Sequence, residues 1–166
     1  MTDRLYYNDP YNRDFEASVV RVDPRGDRQA VWLDRSSFYP TSGGQPFDTG
    51  TLGDGRVVAV EVEDDEVVHL VEGGVPLEAG LRVRGQIDWP RRFDHMQQHT
   101  GQHVLSAAFI RSSSAPTVSF HLGGDVLTID LAKESSPEQI AAAENEANQV
   151  VWQNRPVTVR YADAHE

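Results

Sequence analysis

Cysteine is absent from all 166 residues. The chain therefore carries no disulfide framework, no thiolate nucleophile and no cysteine-ligated metal site within these residues, and histidine becomes the metal ligand to look for. Lysine is scarce as well: Lys133 is the one lysine among 15 basic residues, the others being arginine. No apolar run approaches the ~20 residues of a membrane span, and the opening MTDRLYYNDPYNRDF lacks the basic start and apolar stretch of a leader. A soluble, cytoplasmic protein with no membrane partner is expected. An excess of positive charge is missing too. Acidic residues number 26, the formal charge is −11, and a field of that sign repels polyanions at long range, which excludes duplex DNA binding by broad charge. It leaves room for a local arginine patch that grips one end of a nucleic acid over short, screened distances.

What is present reads as an ordinary globular chain, 39% apolar and 25% charged, long enough for a real core without cross-links. From Phe15 to Asp88 the runs FEASVVRVD, RQAVWLD, GTLGDGRVVAVEVE, EVVHLVEGG and LRVRGQIDW are short, alternating or β-branched, and punctuated by glycine. They predict antiparallel strands of a small barrel or sandwich. Asp54-Gly55 has the chemistry of a tight hairpin, with the glycine accepting positive φ, and Asp23-Pro24-Arg25-Gly26-Asp27 marks another turn.

Near Trp89 the period changes. Phe93, Met96, Val104, Leu105, Ala108 and Phe109 recur at three-and-four spacing, which predicts a helix with Asp88 as its cap and Pro90 in its first turn. TVSFHLG and DVLTIDL predict a second hairpin. Ser136-Pro137-Glu138-Gln139 has capping-box spacing and opens an amphipathic helix to about Asn154, followed by a strand-like VTVRY. The expected fold class is α+β: a small N-terminal antiparallel β-barrel-like domain over residues 1–88, then an α+β domain of helices on an antiparallel sheet over 89–166.

Two segments carry candidate chemistry. In His99-Thr100-Gly101-Gln102-His103 the imidazoles fall at i and i+4 of a helix, so both project from one face and can reach a common ion. That spacing alone suits packed or surface histidines equally well. His95, one turn earlier, is a third ligand, a supporting group or an exposed residue. Phe38-Tyr39-Pro40-Thr41-Ser42-Gly43-Gly44-Gln45-Pro46, with Asp48 after it, is a loop whose glycines let backbone approach a ligand while Thr41, Ser42 and Gln45 offer hydrogen bonds. A plain β-turn has the same pattern. The loop has neither a P-loop lysine nor GxGxxG spacing.

The ordered strings LYYNDPY, FYPTSGGQPFDTG, HMQQHTGQHVLSAAF, TVSFHLGGDVLTIDL and NRPVTV closely resemble the AlaX family of freestanding alanyl-tRNA editing proteins, relatives of the alanyl-tRNA synthetase editing domain. The resemblance spans nearly the whole chain. It implies a glycine-containing β domain ahead of a zinc-bearing editing domain that hydrolyses serine, and in some members glycine, from mischarged alanine tRNA at its acceptor end. It makes His99 and His103 the first pair of zinc ligands. Thr41, Ser42, Gly43, Gly44 and Gln45 become a wall of the amino-acid pocket, with the Thr41 hydroxyl a partner for the substrate serine. Thr41 and Gln45 are then the catalytic candidates, and Asp48 and His121 further pocket residues. Arg91, Arg92 and Arg111 are candidates for phosphate contacts, and solvated surface charges would look the same. The family completes its metal site with a cysteine and a histidine four residues apart, and this chain has no cysteine. The expectation is a site left incomplete by a chain that stops short, ahead of a variant site built with His95, His121, His165 or a carboxylate.

The resemblance implies ester hydrolysis assisted by a metal. The alternatives left open are a metal-free module that binds the tRNA acceptor end or aminoacyl-adenosine, and an interaction role for the acidic surface and the Ser136–Asn154 helix.

Overall fold

The computed structural model describes residues 1–123 and 126–158. In chain order its elements are β1 Asp3–Arg4, a single 3₁₀ turn over Leu5–Tyr7, β2 Asp14–Arg25, β3 Arg28–Leu33, β4 Arg35–Ser36, β5 Gly50–Leu52, β6 Gly55–Glu63, β7 Glu66–Glu72, β8 Arg82–Ile87, α1 Trp89–Ser113, β9 Thr117–Leu122, β10 Leu127–Leu131 and α2 Pro137–Trp152. The protein is mixed α+β, and no helix among the described residues is long and apolar enough to cross a membrane. Contacts divide it into two units, one of Met1–His99 with His121–Thr128, the other of Thr100–Phe120 with the chain from Ile129 onward. The division falls inside α1 and not at residue 88, where the sequence period changes. The cause is local: the first turns of α1 are bonded to the 37–48 loop of the first unit through Arg91, Arg92 and His99.

The first unit is built on an antiparallel sheet of order β2-β3-β7-β6-β5-β8, in which β8 pairs back onto β2 through Phe15↔Gly85 and the ladder closes. A closed ladder leaves no edge exposed. β1 and β4 make a separate parallel pair. Period-two burial points Phe15, Ala17 and Val19 of β2 and Val83 and Ile87 of β8 inward, where they meet Val31, Leu33, Phe38, Leu52, Val60 and Val67. Each such side chain contributes about 1.5–3 kcal/mol by leaving water. Gly85 is required by packing: a Cβ there would come within 2.4 Å of the Phe15 ring.

The β5–β6 turn is displaced by one residue from the predicted place. Leu52 pairs with Gly55, so Gly53 and Asp54 form the two-residue loop, and Gly53 takes the positive φ of 57°. Gly55 instead lies against Val71, where a Cβ would approach to 2.4 Å.

A buried polar pair, His69 with Ser36, sits in this interior. His69 is fully buried, edge-on to Phe38, with Nδ1 donating to the Val31 carbonyl at 3.0 Å and Nε2 accepting from the Ser36 hydroxyl at 2.8 Å. A carbonyl only accepts, so the proton is on Nδ1. Burial pulls its pKa down to about 4, and the ring is neutral.

In the second unit Leu105, Ala108, Phe109 and Ala115 pack with Ile129, Leu131, Ala143 and Ala147. The predicted capping box is present: the Ser136 hydroxyl accepts from Gln139 N, and the Gln139 amide oxygen accepts from Ser136 N. The last turn of α2 leaves Val151 and Trp152 exposed. Of the predicted VTVRY strand, Val157 and Thr158 are irregular and the remainder lies outside the described residues.

Candidate functional site

The Thr41–Gln45 segment is a miniature hairpin. Ser42 N donates to Gln45 O at 3.1 Å and Gln45 N to Ser42 O at 2.9 Å, closing a two-residue loop of Gly43 and Gly44 at φ 54° and 84°. Two consecutive positive φ values are what a type I′ turn demands, and glycine supplies them without Cβ strain. Thr41 N is held by Val60 O at 3.1 Å, while Thr41, Ser42, Gly43 and Gly44 are exposed. The Gly44 carbonyl accepts from Leu122 N at 3.3 Å, which ties the turn to the end of β9 beside the exposed His121.

Gln45, by contrast, is buried, and its Oε1 lies 2.7 Å from His99 Nδ1. An amide oxygen is an acceptor only, so His99 carries its proton on Nδ1 and its lone pair on Nε2, the nitrogen that can ligate a metal or accept a proton. The structure therefore brings the loop and the first histidine together within the first unit, and gives Gln45 a positioning role. His103 follows at i+4 on the same helix, exposed, with its ring edge-on to Phe120 at 6.4 Å in the second unit. Near it Gln102 Nε2 donates to Ser106 Oγ at 2.8 Å, and Ser106 meets Thr117 Oγ1 at 2.7 Å.

Asp48 and Arg92 depart from expectation. Their side chains are 1% and 3% exposed, and they bind each other: Arg92 Nε lies 2.9 Å from both Asp48 oxygens and Nη2 2.5 Å from Oδ2. Asp48 also accepts from Tyr39 N at 2.6 Å, and Arg92 donates to the carbonyls of Pro10, at 2.9 Å, and Ser37. A guanidinium withdrawn from solvent does not meet a phosphate, so Arg92 is not a tRNA contact. Asp48 spends its acceptors on that pair and is not a pocket residue. Both clamp the loop, and nothing local in the sequence marks the pair, since the partners lie 44 residues apart.

Arg91 is half-buried, with Nε donating to the Phe47 carbonyl at 3.0 Å and its guanidinium 5.4 Å from the Phe47 ring. Arg111 is exposed, in the second unit, and paired with Glu146. His95 is buried at 3% exposure, and its Nδ1 has no hydrogen-bond partner among the described residues. Burial first, then the Arg91 charge, lower its pKa. It is an interior ring and not an exposed one.

As a metal centre the described residues fall short. Among them no three His, Asp or Glu converge, whereas a zinc site uses three or four ligands. His99 and His103 supply two imidazoles from one helix. His165 lies outside the described residues.

The chain is similar in sequence to known proteins. The family model for class II (A) tRNA synthetases matches residues 11–91. The alanyl-tRNA editing protein AlaX-M of Methanosarcina acetivorans is 39% identical over 96% of this chain and 69% of its own length. AlaX-L of Pyrococcus horikoshii is 37% identical over 98% of the chain, which spans 42% of that protein. The alanine–tRNA ligase of Pyrococcus abyssi is 40% identical over 95% of the chain, which spans 18% of it. With that identity and coverage against AlaX-M, the chain belongs to the AlaX family of alanyl-tRNA editing proteins.

Proposed function

We propose that the protein hydrolyses the ester linking a wrong amino acid, serine and in some cases glycine, to the acceptor end of alanine tRNA. The contact between Gln45 Oε1 and His99 Nδ1 carries this reading, because it joins the glycine turn to the His-rich helix. Ester cleavage needs an oriented water and stabilisation of a developing oxyanion. Gln45 fixes the His99 tautomer. The Gly43-Gly44 turn lets backbone approach the aminoacyl group closely, and the exposed Thr41 hydroxyl is the group that reads a serine side chain. A serine side chain gains a hydrogen bond to that hydroxyl and an alanine side chain does not, which favours the serine ester. Arg91 and Arg111 are the remaining phosphate contacts, His121 a pocket residue beside the turn, and a tRNA substrate implies a cytoplasmic protein.

Zinc belongs to the proposal as the ion that His99 and His103 would hold, where it would supply Lewis-acid polarisation of the ester. A second reading beside it is a metal-free module that binds aminoacyl-tRNA ends without cleaving them. Release of serine from serine-charged alanine tRNA, with bound zinc counted in the same preparation, separates the two. Turnover supports the hydrolase, and retention of the charged tRNA without turnover supports the binder. Thr41→Val is expected to lower the serine-over-alanine preference about tenfold while changing the hydrolysis of glycine little. Unchanged serine preference would remove Thr41 from the pocket.

A further inference from the structure

On the first unit, away from the Gly43-Gly44 turn in sequence, three aromatic rings meet at the surface. Trp89, at the start of α1, stacks on Phe93 at 5.5 Å and 30°, and Tyr11 lies tilted against the same indole at 5.6 Å. Phe93 is 39% exposed and Tyr11 57%. The Arg13 guanidinium lies over the Trp89 ring at 4.1 Å and has no carboxylate partner among the described residues. The backbone beneath is fixed: buried Arg92 holds the Pro10 carbonyl, the Arg13 carbonyl accepts from Ile87 N at 2.8 Å, and Tyr11 N donates to Asp9 Oδ1 at 2.9 Å. A cluster of large rings that a core would normally take is thus displayed on a rigid support.

The charge pattern says what it is for. Most of the described arginines are committed to carboxylates, Arg25 to Glu63, Arg56 to Glu72 and Arg84 to Asp14 among them. The chain carries −11 overall, and Asp88 and Asp94 flank the ring cluster in sequence. Affinity for RNA through phosphate alone is therefore poor, and contact must come from the uncharged faces of bases. Aromatic rings with one adjacent guanidinium are the arrangement that accepts an unstacked base and meets its phosphate once.

We propose that Tyr11, Trp89 and Phe93, with Arg13, form a stacking platform for an unpaired nucleotide of a single-stranded RNA segment. The proposal rests on the tRNA-editing reading for its biological partner and deepens it, by adding a contact to the strand separate from the amino-acid pocket. The ligand class is single-stranded RNA, held by base stacking, with a shallow dependence on salt.

The test uses the full chain and a fluorescently labelled single-stranded oligoadenylate RNA, read by anisotropy, with ultraviolet cross-links mapped by mass spectrometry. Tyr11→Ala and Phe93→Ala are each expected to weaken binding about tenfold, the loss typical of one stacked base. Phe93→Tyr should retain affinity, Arg13→Gln should flatten the remaining salt dependence, and cross-links should fall on the three rings. Circular dichroism identifies any variant that has unfolded, and the rescue by Phe93→Tyr is then the deciding comparison. Equal affinity of both alanine variants and the parent, cross-links elsewhere, no oligoadenylate binding by the parent, or preference for a proline-rich peptide over RNA would each overturn the platform. Serine release from charged tRNA, measured in parallel, judges the editing reading by itself: turnover that persists with an unaltered oligoadenylate affinity removes the platform and leaves the hydrolase.

Discussion

Replacing Arg92 with methionine removes the cation that faces the Asp48 carboxylate in a place where neither meets water. The loss has two parts. An uncompensated buried charge costs about 3–5 kcal/mol. The carbonyls of Pro10 and Ser37 lose their donor as well, at roughly 1 kcal/mol each. Against a native stability of about 5–15 kcal/mol this is a large share, and at about 2–4 °C per kcal/mol it lowers the thermal midpoint by roughly 10 °C or more. Asp48→Asn should fall by a similar amount, because the guanidinium then stays buried without its counter-charge. The double variant Arg92→Met with Asp48→Asn should lose less than the two singles summed, with a coupling of about 1–3 kcal/mol. Urea unfolding followed by far-ultraviolet circular dichroism measures all four proteins. If Arg92→Met keeps its midpoint within about 0.5 kcal/mol and binds tRNA more weakly instead, the side chain is a phosphate ligand and the clamp reasoning is wrong.

Three further outcomes are expected. His69 is neutral in the fold with a pKa near 4, against 6.5 when exposed, so the unfolded chain takes up a proton first as pH falls. Its contribution is intact above about pH 6.5 and lost toward pH 4, a total of roughly 3 kcal/mol, and His69→Gln should flatten that stretch of the stability curve measured by urea titration. Gln45→Leu leaves the His99 Nδ1–H without its acceptor and should slow serine release at least tenfold while tRNA retention on a filter is unchanged. Ser136→Ala removes a cap and should cost about 1 kcal/mol of stability by chemical denaturation, without altering RNA affinity.

The strands from Phe15 to Ile87, the Asp88 cap and the Ser136 capping box were all legible, because each is written in local chemistry: period-two patterning, a side-chain acceptor, a glycine or proline at a fixed offset. The placement of the β5–β6 turn shows the limit of such signals, since Gly53 and Gly55 look alike in sequence while one serves φ and the other close packing. The loop and the histidine helix were visible as motifs, but their junction through Gln45 was not, for it depends on how a 54-residue separation closes. Asp48 and Arg92 failed for the same reason. An arginine next to another arginine at a helix start looks like a phosphate hook, and only the carboxylate that arrives from a distant loop makes it an interior strut. Among the readings open for His95 the burial excludes the exposed one, and that burial is set by what packs over the helix, which a single stripe of residues does not encode.

The three tryptophans happen to sit in three different surroundings. Trp32 is 3% exposed beneath the Arg21 guanidinium, Trp89 is half-buried in the aromatic cluster, and Trp152 is 79% exposed at the end of α2. The molecule thus carries its own set of optical reporters, one for the face of β3 opposite the main core, one for the ring cluster and one for the end of α2. Single-tryptophan versions would let the melting of the two units be followed by colour alone, without any attached dye.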